Sequence, residues 1–214
     1  MRKLKRIIVD GLLFFSALFS RSFMFQGKRY FYLRNLYNTT WANERAVEIP
    51  IIQEMMKGYP PDRILEVGNV LSHYQIVNHD ILDKYEIADG VTNGDACTFT
   101  TDKRYDLIVS ISTLEHIGWN EGWSLRDKSE KAISNLRKLL SVRGEFIATF
   151  PLGYNGYLDW VLRNDLIKLK KLYCLKKTGH SQWVEFCFSN PRAIKDIRDC
   201  RLYSGQNTII ICEL

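Results

Sequence analysis

Hydrophobic and polar positions along the chain alternate between two kinds of run. Short, nearly uninterrupted apolar runs occur at Arg63 to Gly68 (RILEVG), Ile81 to Asp83, Tyr105 to Ile111 (YDLIVSI), Glu145 to Phe150 (EFIATF) and Thr208 to Leu214. Runs of that length without polar alternation predict strands covered on both faces. Between them lie segments with helical spacing. Trp41 to Met56 is apolar at positions 46, 47, 49, 51, 52, 55 and 56, with Pro50 expected to bend it, and Tyr37-Asn38-Thr39-Thr40 offers capping residues before it. Lys128 to Leu140 places Ala132, Ile133, Leu136, Leu139 and Leu140 on one face. The basic and apolar stretch 157–176 is expected to be helical as well. Strands alternating with helices predict an α/β fold with a doubly wound, mostly parallel sheet. No repeat or low-complexity linker divides the chain, so one domain over 37–214 is expected, preceded by an N-terminal helical extension over 1–36.

In such a sheet the ligand sits beyond the carboxyl ends of the strands, where the strand order reverses. Residues that end strands are therefore informative. Glu66 and Gly68 end the first: the acid suits a cationic or hydroxyl-bearing group, and the glycine lets backbone come close. Asp83 ends the second, where a carboxylate can accept ribose hydroxyls. Asn93-Gly94-Asp95-Ala96 forms a turn whose carboxylate can accept from an adenine amino group. Ser110 to His116 (SISTLEH) opens onto the same edge.

Charge then separates the chain into two parts. Of the net +6, residues 1–34 carry eight basic residues against the single acid Asp10; the remainder has 22 basic and 23 acidic residues and is close to neutral. A neutral body argues against nucleic acid as substrate, since phosphate binding needs positive charge around the active face. Within the N-terminus, the apolar run 7–19 is about 13 residues long, too short to span a bilayer. Asp10 inside it, and the lack of a small-residue cleavage site, argue against a secretory signal. Two readings stand: a helix on the membrane surface through residues 1–28, or a helix packed on its own domain or a second subunit. The five cysteines (97, 174, 187, 200 and 212) show no CxxC or zinc spacing, as expected of reduced thiols in a cytoplasmic protein. The oligomeric state is open.

Taken in order, ILEVG, ILD, GDA, YDLIVSISTLEHI and LRKLLSVRGEFIATFPLG resemble the motif series of class I S-adenosylmethionine-dependent methyltransferases, over roughly residues 60–155. The resemblance implies a seven-stranded sheet and S-adenosylmethionine held by Glu66, Gly68, Asn69, Asp83, Asp95, Ala96 and Ser112. Glu66 would lie near the methionine moiety, Asp83 on the ribose and Asp95 near the adenine. His116, oriented by Glu115, is the expected base for a hydroxyl or amine acceptor, and Trp119, Tyr154 and Asn155 lie where that acceptor should bind. No metal is expected, because His73, His79 and His180 have no ligand spacing. One position departs from the family: Val70 stands where the second glycine of an E-x-G-x-G loop is usual. The expected activity is O- or N-methylation of a small or glycan-like acceptor. The alternative is a non-catalytic binding or scaffold protein that keeps the sheet. A nicotinamide-dependent oxidoreductase would need a GxGxxG that is missing here.

Overall fold

The computed structural model describes residues 22–122, 125, 127–179, 182–186 and 208–214. An eight-stranded sheet runs through the molecule in the order β5-β4-β3-β6-β7-β10-β8-β9. Its parallel half comprises β3 (Ile64–Val67), β4 (Asp80–Asp83), β5 (Val91–Asn93), β6 (Tyr105–Ile111) and β7 (Leu140–Pro151). These five strands, counted from β3, have the 3-2-1-4-5 order of a doubly wound sheet. Then β10 (Thr208–Glu213) returns antiparallel between β7 and β8 (Lys171–Gly179), and β9 (Gln182–Phe186) closes the edge. The mixed α/β, mostly parallel architecture is the one expected, with one strand beyond the expected seven.

Every residue of β3 and β10 is buried, and six of the seven in β6. That explains why these runs carry no polar alternation: both faces are covered, by two separate apolar cores. One core takes Leu65, Val67, Ile108 and Phe146 against α2 (Lys128–Arg137) and α3 (Gly156–Arg163). The other takes Ile64, Leu107, Val109 and Ile111 with Val47, Ile49, Ile51 and Ile52 of α1 (Arg45–Met56).

Pro50 lies inside α1 and cannot donate to the carbonyl of Ala46. That carbonyl instead accepts the Leu33 N–H at 2.9 Å, which ties the preceding segment to the helix. The Tyr37–Ala42 stretch forms a 3₁₀ turn with Asn38 and Thr39 at positive φ. It does not cap α1, whose N-cap is Glu44 without a side-chain bond.

Two expectations are corrected. The described part of the N-terminal extension is not helical: β1 (Ser22–Phe25) and β2 (Lys28–Phe31) form a hairpin whose Phe23 and Phe25 enter the second core. The apolar run 7–19 lies outside the described residues. The stretch 157–176 is helical only to Arg163. Asn164 ends the helix, Asp165 takes φ +54°, and from Lys171 the chain is β8. Among the described residues no helix is long and apolar enough to cross a membrane, and no three ligating side chains converge as a metal site would require.

Candidate functional site

Beyond the carboxyl ends of β3, β4, β5 and β6 lies a cavity of about 450 Å³. It sits where the chain, having added β4 and β5 on one side of β3, crosses to add β6 on the other. This is the switch point at which open α/β sheets bind ligands. Val67, Leu82, Ala96 and Ile117 make its apolar wall; Gly68, Asp83, Asp95, Thr113, His116 and Asn120 supply its polar edge.

The loop leaving β3 is held from inside. Glu66 is fully buried; its Oε1 accepts the Val70 and Leu71 N–H groups at 2.9 and 2.8 Å, and its Oε2 accepts from His79 Nε2 at 2.7 Å. The carboxylate is thus spent on shaping the loop, and Glu66 does not line the cavity. Asn69 is used similarly: its side chain accepts from Ser72 Oγ and donates to Glu86 Oε1. Gly68 does line the cavity. Its φ of +89° and an ideal Cβ position only 2.1 Å from Thr113 Oγ1 exclude any side chain there. Val70 at the second-glycine position therefore meets no steric bar: its φ is −109°, which a β-branched residue adopts readily.

Asp83 ends β4 and faces the cavity. Its Oδ1 accepts the N–H groups of Tyr85 and Glu86, both at 2.8 Å, and its Oδ2 accepts that of Asn69 at 3.0 Å. A carboxylate has about four lone-pair positions, so one remains, on Oδ2, for a ligand hydroxyl. Asp95 begins the turn after β5 and accepts the Cys97 N–H at 2.9 Å, with Lys84 Nζ at 3.1 Å and Lys128 Nζ at 3.6 Å. Partial burial would raise its pKa, but the Cys97 N–H and Lys84 outweigh that and hold it at about 2. Across the opening, Glu121 takes Lys128 at 2.5 Å, Lys84 at 2.7 Å and the Tyr85 hydroxyl at 2.8 Å. Lys128 and Lys84 hold its pKa at about 2. Two lysines and two carboxylates thus compensate one another along the rim.

The turn after β6 is tight: Ser112 has φ +39° and its N–H continues the sheet to the Thr149 carbonyl. Ser112 is buried and its hydroxyl donates to Glu48 Oε1 at 2.7 Å, away from the cavity, whereas its neighbour Thr113 lines it. Glu48 is fully buried on α1, beside Arg45. Burial, only partly countered by Arg45, raises its pKa to about 7. Glu115 is 1% exposed, and among the described residues neither of its oxygens has a hydrogen-bond partner.

His116 lines the cavity, its ring 4.6 Å from that of Tyr154. Its Nδ1 meets Asn120 Nδ2 at 2.9 Å, while Asn120 Oδ1 accepts from the Tyr154 hydroxyl at 3.4 Å. That places the amide N–H on Nδ1 and leaves the ring proton on Nε2, which is 3.8 Å from Glu115 Oε1. Burial and Arg45 lower the imidazole pKa. In this arrangement the neutral ring has no free lone pair, so the expected base role requires Asn120 to turn away. Asn155 is buried and serves as N-cap of α3, accepting the Tyr157 and Leu158 N–H groups while donating to the Glu115 carbonyl. It holds two loops together and does not line the cavity, and neither does Trp119.

Of the expected cofactor residues, then, Gly68, Asp83, Asp95 and Ala96 converge on the cavity, while Glu66, Asn69 and Ser112 support it from behind. His116 and Asn120 edge it, and Tyr154 reaches them. Sequence reasoning missed Lys84, Lys128 and Glu48. The first two are ordinary surface lysines in sequence, but Glu48 left a signal: it is an acid inside the apolar run Ala46 to Ile52.

No protein-family model and no curated protein matches the sequence. Comparison of structures finds the N-methyltransferase NodS from Bradyrhizobium japonicum at TM-score 0.43 and 14% identity, covering 79% of this chain and 94% of that one. A TehB-like S-adenosylmethionine-dependent methyltransferase from Corynebacterium glutamicum gives TM-score 0.43 and 16% identity, with coverage of 78% and 85%. An S-adenosylmethionine-dependent methyltransferase from Clostridium acetobutylicum gives TM-score 0.40 and 10% identity, with coverage of 76% and 88%. Likeness of this degree says nothing of activity or acceptor, and the fold assignment rests on the strand order itself.

Proposed function

We propose that the chain is an S-adenosylmethionine-dependent methyltransferase acting on a small-molecule acceptor. The observation that carries this reading is the cavity at the sheet's switch point, edged by Gly68, Asp83 and Asp95 in the order of the motif series. Its residues fit the cofactor. Asp83 has an acceptor position left for a ribose hydroxyl, and Leu82, Ala96 and Ile117 offer an apolar slot for a base. The rim lysines are already neutralised by Asp95 and Glu121, so no bare cation opposes a positively charged ligand. Volume suits as well, since 450 Å³ falls among small-molecule sites.

S-adenosylmethionine, when bound, supplies a methyl group on a sulfonium. The protein's part is to hold the acceptor in line and keep water out, which can supply most of the rate gain. Glu66 and Asp83 fix the loop that approaches the cofactor. Thr113, His116 and Tyr154 border the acceptor side, His116 as a neutral donor. The charge concentrated in residues 1–34 supports a cytoplasmic protein whose N-terminus meets an acidic membrane surface, where a lipid-linked or saccharide acceptor would be made.

Calorimetric titration with S-adenosylmethionine and S-adenosylhomocysteine tests the reading. Asp83→Ala would orphan three backbone N–H groups and confound the result, so the informative variant is Ala96→Phe, which fills the apolar slot. Micromolar binding by the native chain, lost in Ala96→Phe, is expected. Absence of binding by folded native protein would sink the enzyme reading. It would leave a non-catalytic binding protein, which the self-bonded Glu66 and Asn69 loop also allows.

A further inference from the structure

Five described residues other than glycine hold a positive φ: Gln26, Asn38, Thr39, Ser112 and Asp165. Four of them are exposed; Ser112, at φ +39°, is buried where β6 gives way to the cavity's border. A residue with a side chain is strained in that region and stays there only where its surroundings force it.

Two residues of α1 supply that force. Arg45 Nη1 donates to the Ile111 carbonyl at 2.7 Å and Nη2 to the Ser112 carbonyl at 3.4 Å, so one guanidinium grips the peptide groups on both sides of the strained Cα. Glu48 Oε1 accepts the Ser112 hydroxyl at 2.7 Å, and Glu48 Oε2 meets Arg45 Nη1 at 3.3 Å, which closes the ring. From the other side the Thr149 carbonyl accepts the Ser112 N–H at 2.8 Å. Arg45 is the first residue of α1, where a cation opposes the helix dipole. The helix itself therefore does not account for it, whereas the two carbonyls do: a planar guanidinium fork suits them better than the point charge of a lysine.

The turn so held delivers much of the cavity's border. Thr113, His116 and Ile117 line the cavity, and the His116 N–H returns to the Thr113 carbonyl at 3.0 Å. Thr113 fills the space in which a Gly68 side chain would stand. We propose that Arg45 and Glu48 are positioning residues for the cofactor site. Neither lines the cavity; together they hold Ser112 in its left-handed conformation, so that Thr113 seats against Gly68 and His116 and Ile117 reach the ligand space. Naming S-adenosylmethionine as that ligand rests on the function proposed above; the positioning of the turn does not.

The full chain and its variants are compared by calorimetric titration with S-adenosylhomocysteine and, without ligand, by amide hydrogen exchange. Arg45→Lys keeps the charge and loses the fork. It is expected to weaken S-adenosylhomocysteine binding at least about tenfold, as the loss of a hydrogen bond from a charged donor does. Exchange should quicken at the Ser112, His116 and Ile117 amides, whose bonds define the turn, while the parallel strands keep native protection. Glycine takes φ +39° without strain. In a Ser112→Gly background the same Arg45→Lys change should therefore weaken binding by less than about threefold. A merely structural role would produce neither the confinement to one turn nor this coupling. Should Arg45→Lys not fold, Ser112→Ala, which keeps the strain and loses the Glu48 bond, should loosen the same three amides. Unchanged exchange at the turn, a uniform rise across the fold, or the same tenfold loss in the Ser112→Gly background would overturn the proposal. So would native binding of S-adenosylhomocysteine that Arg45→Lys leaves intact. Absence of S-adenosylhomocysteine binding by folded native protein would overturn the methyltransferase reading alone, and hydrogen exchange would still decide this one.

Discussion

The rim of the cavity and the acids beneath it treat charge in opposite ways. On the rim, Lys84, Asp95, Glu121 and Lys128 alternate in sign, each within 3.6 Å of a partner and each partly open to water. Below, Glu48 and Glu115 are sealed from water, with Arg45 as the nearby base. Partly exposed pairs add little to stability, because water and salt already screen them. Buried acids with too few partners subtract from it. The difference teaches that the rim gives the opening its shape at small energetic consequence, whereas Glu115, buried without a hydrogen-bond partner among the described residues, costs the fold stability.

Four experiments can break or sharpen that contrast. The largest effect is expected at the backbone between the two regions. Gly68→Ala must hold φ +89° and push against Thr113, so it should cost about 2–4 kcal/mol in urea unfolding and abolish S-adenosylhomocysteine binding. Adding Thr113→Ala should recover only part, since the Thr113 Cβ is itself 2.9 Å away.

Next comes pH. Burial raises the Glu48 pKa from 4.5 to about 7 in the folded state. The folded protein therefore holds this proton more tightly than the unfolded chain does. Stability from this source is complete below pH 4.5 and falls as pH climbs to about 7. Glu115 pulls the same way. A Glu48→Gln variant should flatten the decline in thermal midpoint over that window, and an unchanged slope would mean Glu48 is not buried as described.

A smaller effect, opposite in sign to most core substitutions, is expected for Glu115→Leu. Removing an unpartnered buried carboxyl should stabilise the fold by about 1–3 kcal/mol, read as a higher urea midpoint. The smallest belongs to the rim: Glu121→Gln should change stability by less than about 1 kcal/mol, and the difference should shrink further in added salt.

What the sequence disclosed, and what it hid, follows the same division. β3, β6 and β10 were legible because strands covered on both faces cannot hide their apolar runs, and Asp83 and Gly68 were legible because they end such strands. The stretch 157–176 misled, since Lys168, Lys170, Lys171, Lys176 and Lys177 read as the polar side of one long helix. The helix breaks at Asn164 and Asp165, and the seven residues 164–170 lead from α3 to a strand with few buried positions. At the site, Glu66 carried the right position and the wrong role: spacing places a carboxylate at a strand end but does not say which way it turns. Asn155 is similar, an acceptor-side residue by order and a helix cap by geometry. Lys84 and Lys128 were invisible because their partners come from distant parts of the chain.

The position of β10 bears on the order in which the chain can fold. β8 and β9 join the parallel half of the sheet only through β10, which comes after both in the chain. Until that strand arrives, the flank of β7 carrying Ile147 and Phe150 has no neighbour, and the β8–β9 hairpin meets the β1–β2 hairpin, Phe25 against Tyr173, without a strand to join it to the sheet. During synthesis the nascent chain therefore carries an open, apolar sheet edge, the form most prone to pairing with another molecule. Sealing it is a late and cooperative event, because one strand must find both of its neighbours together.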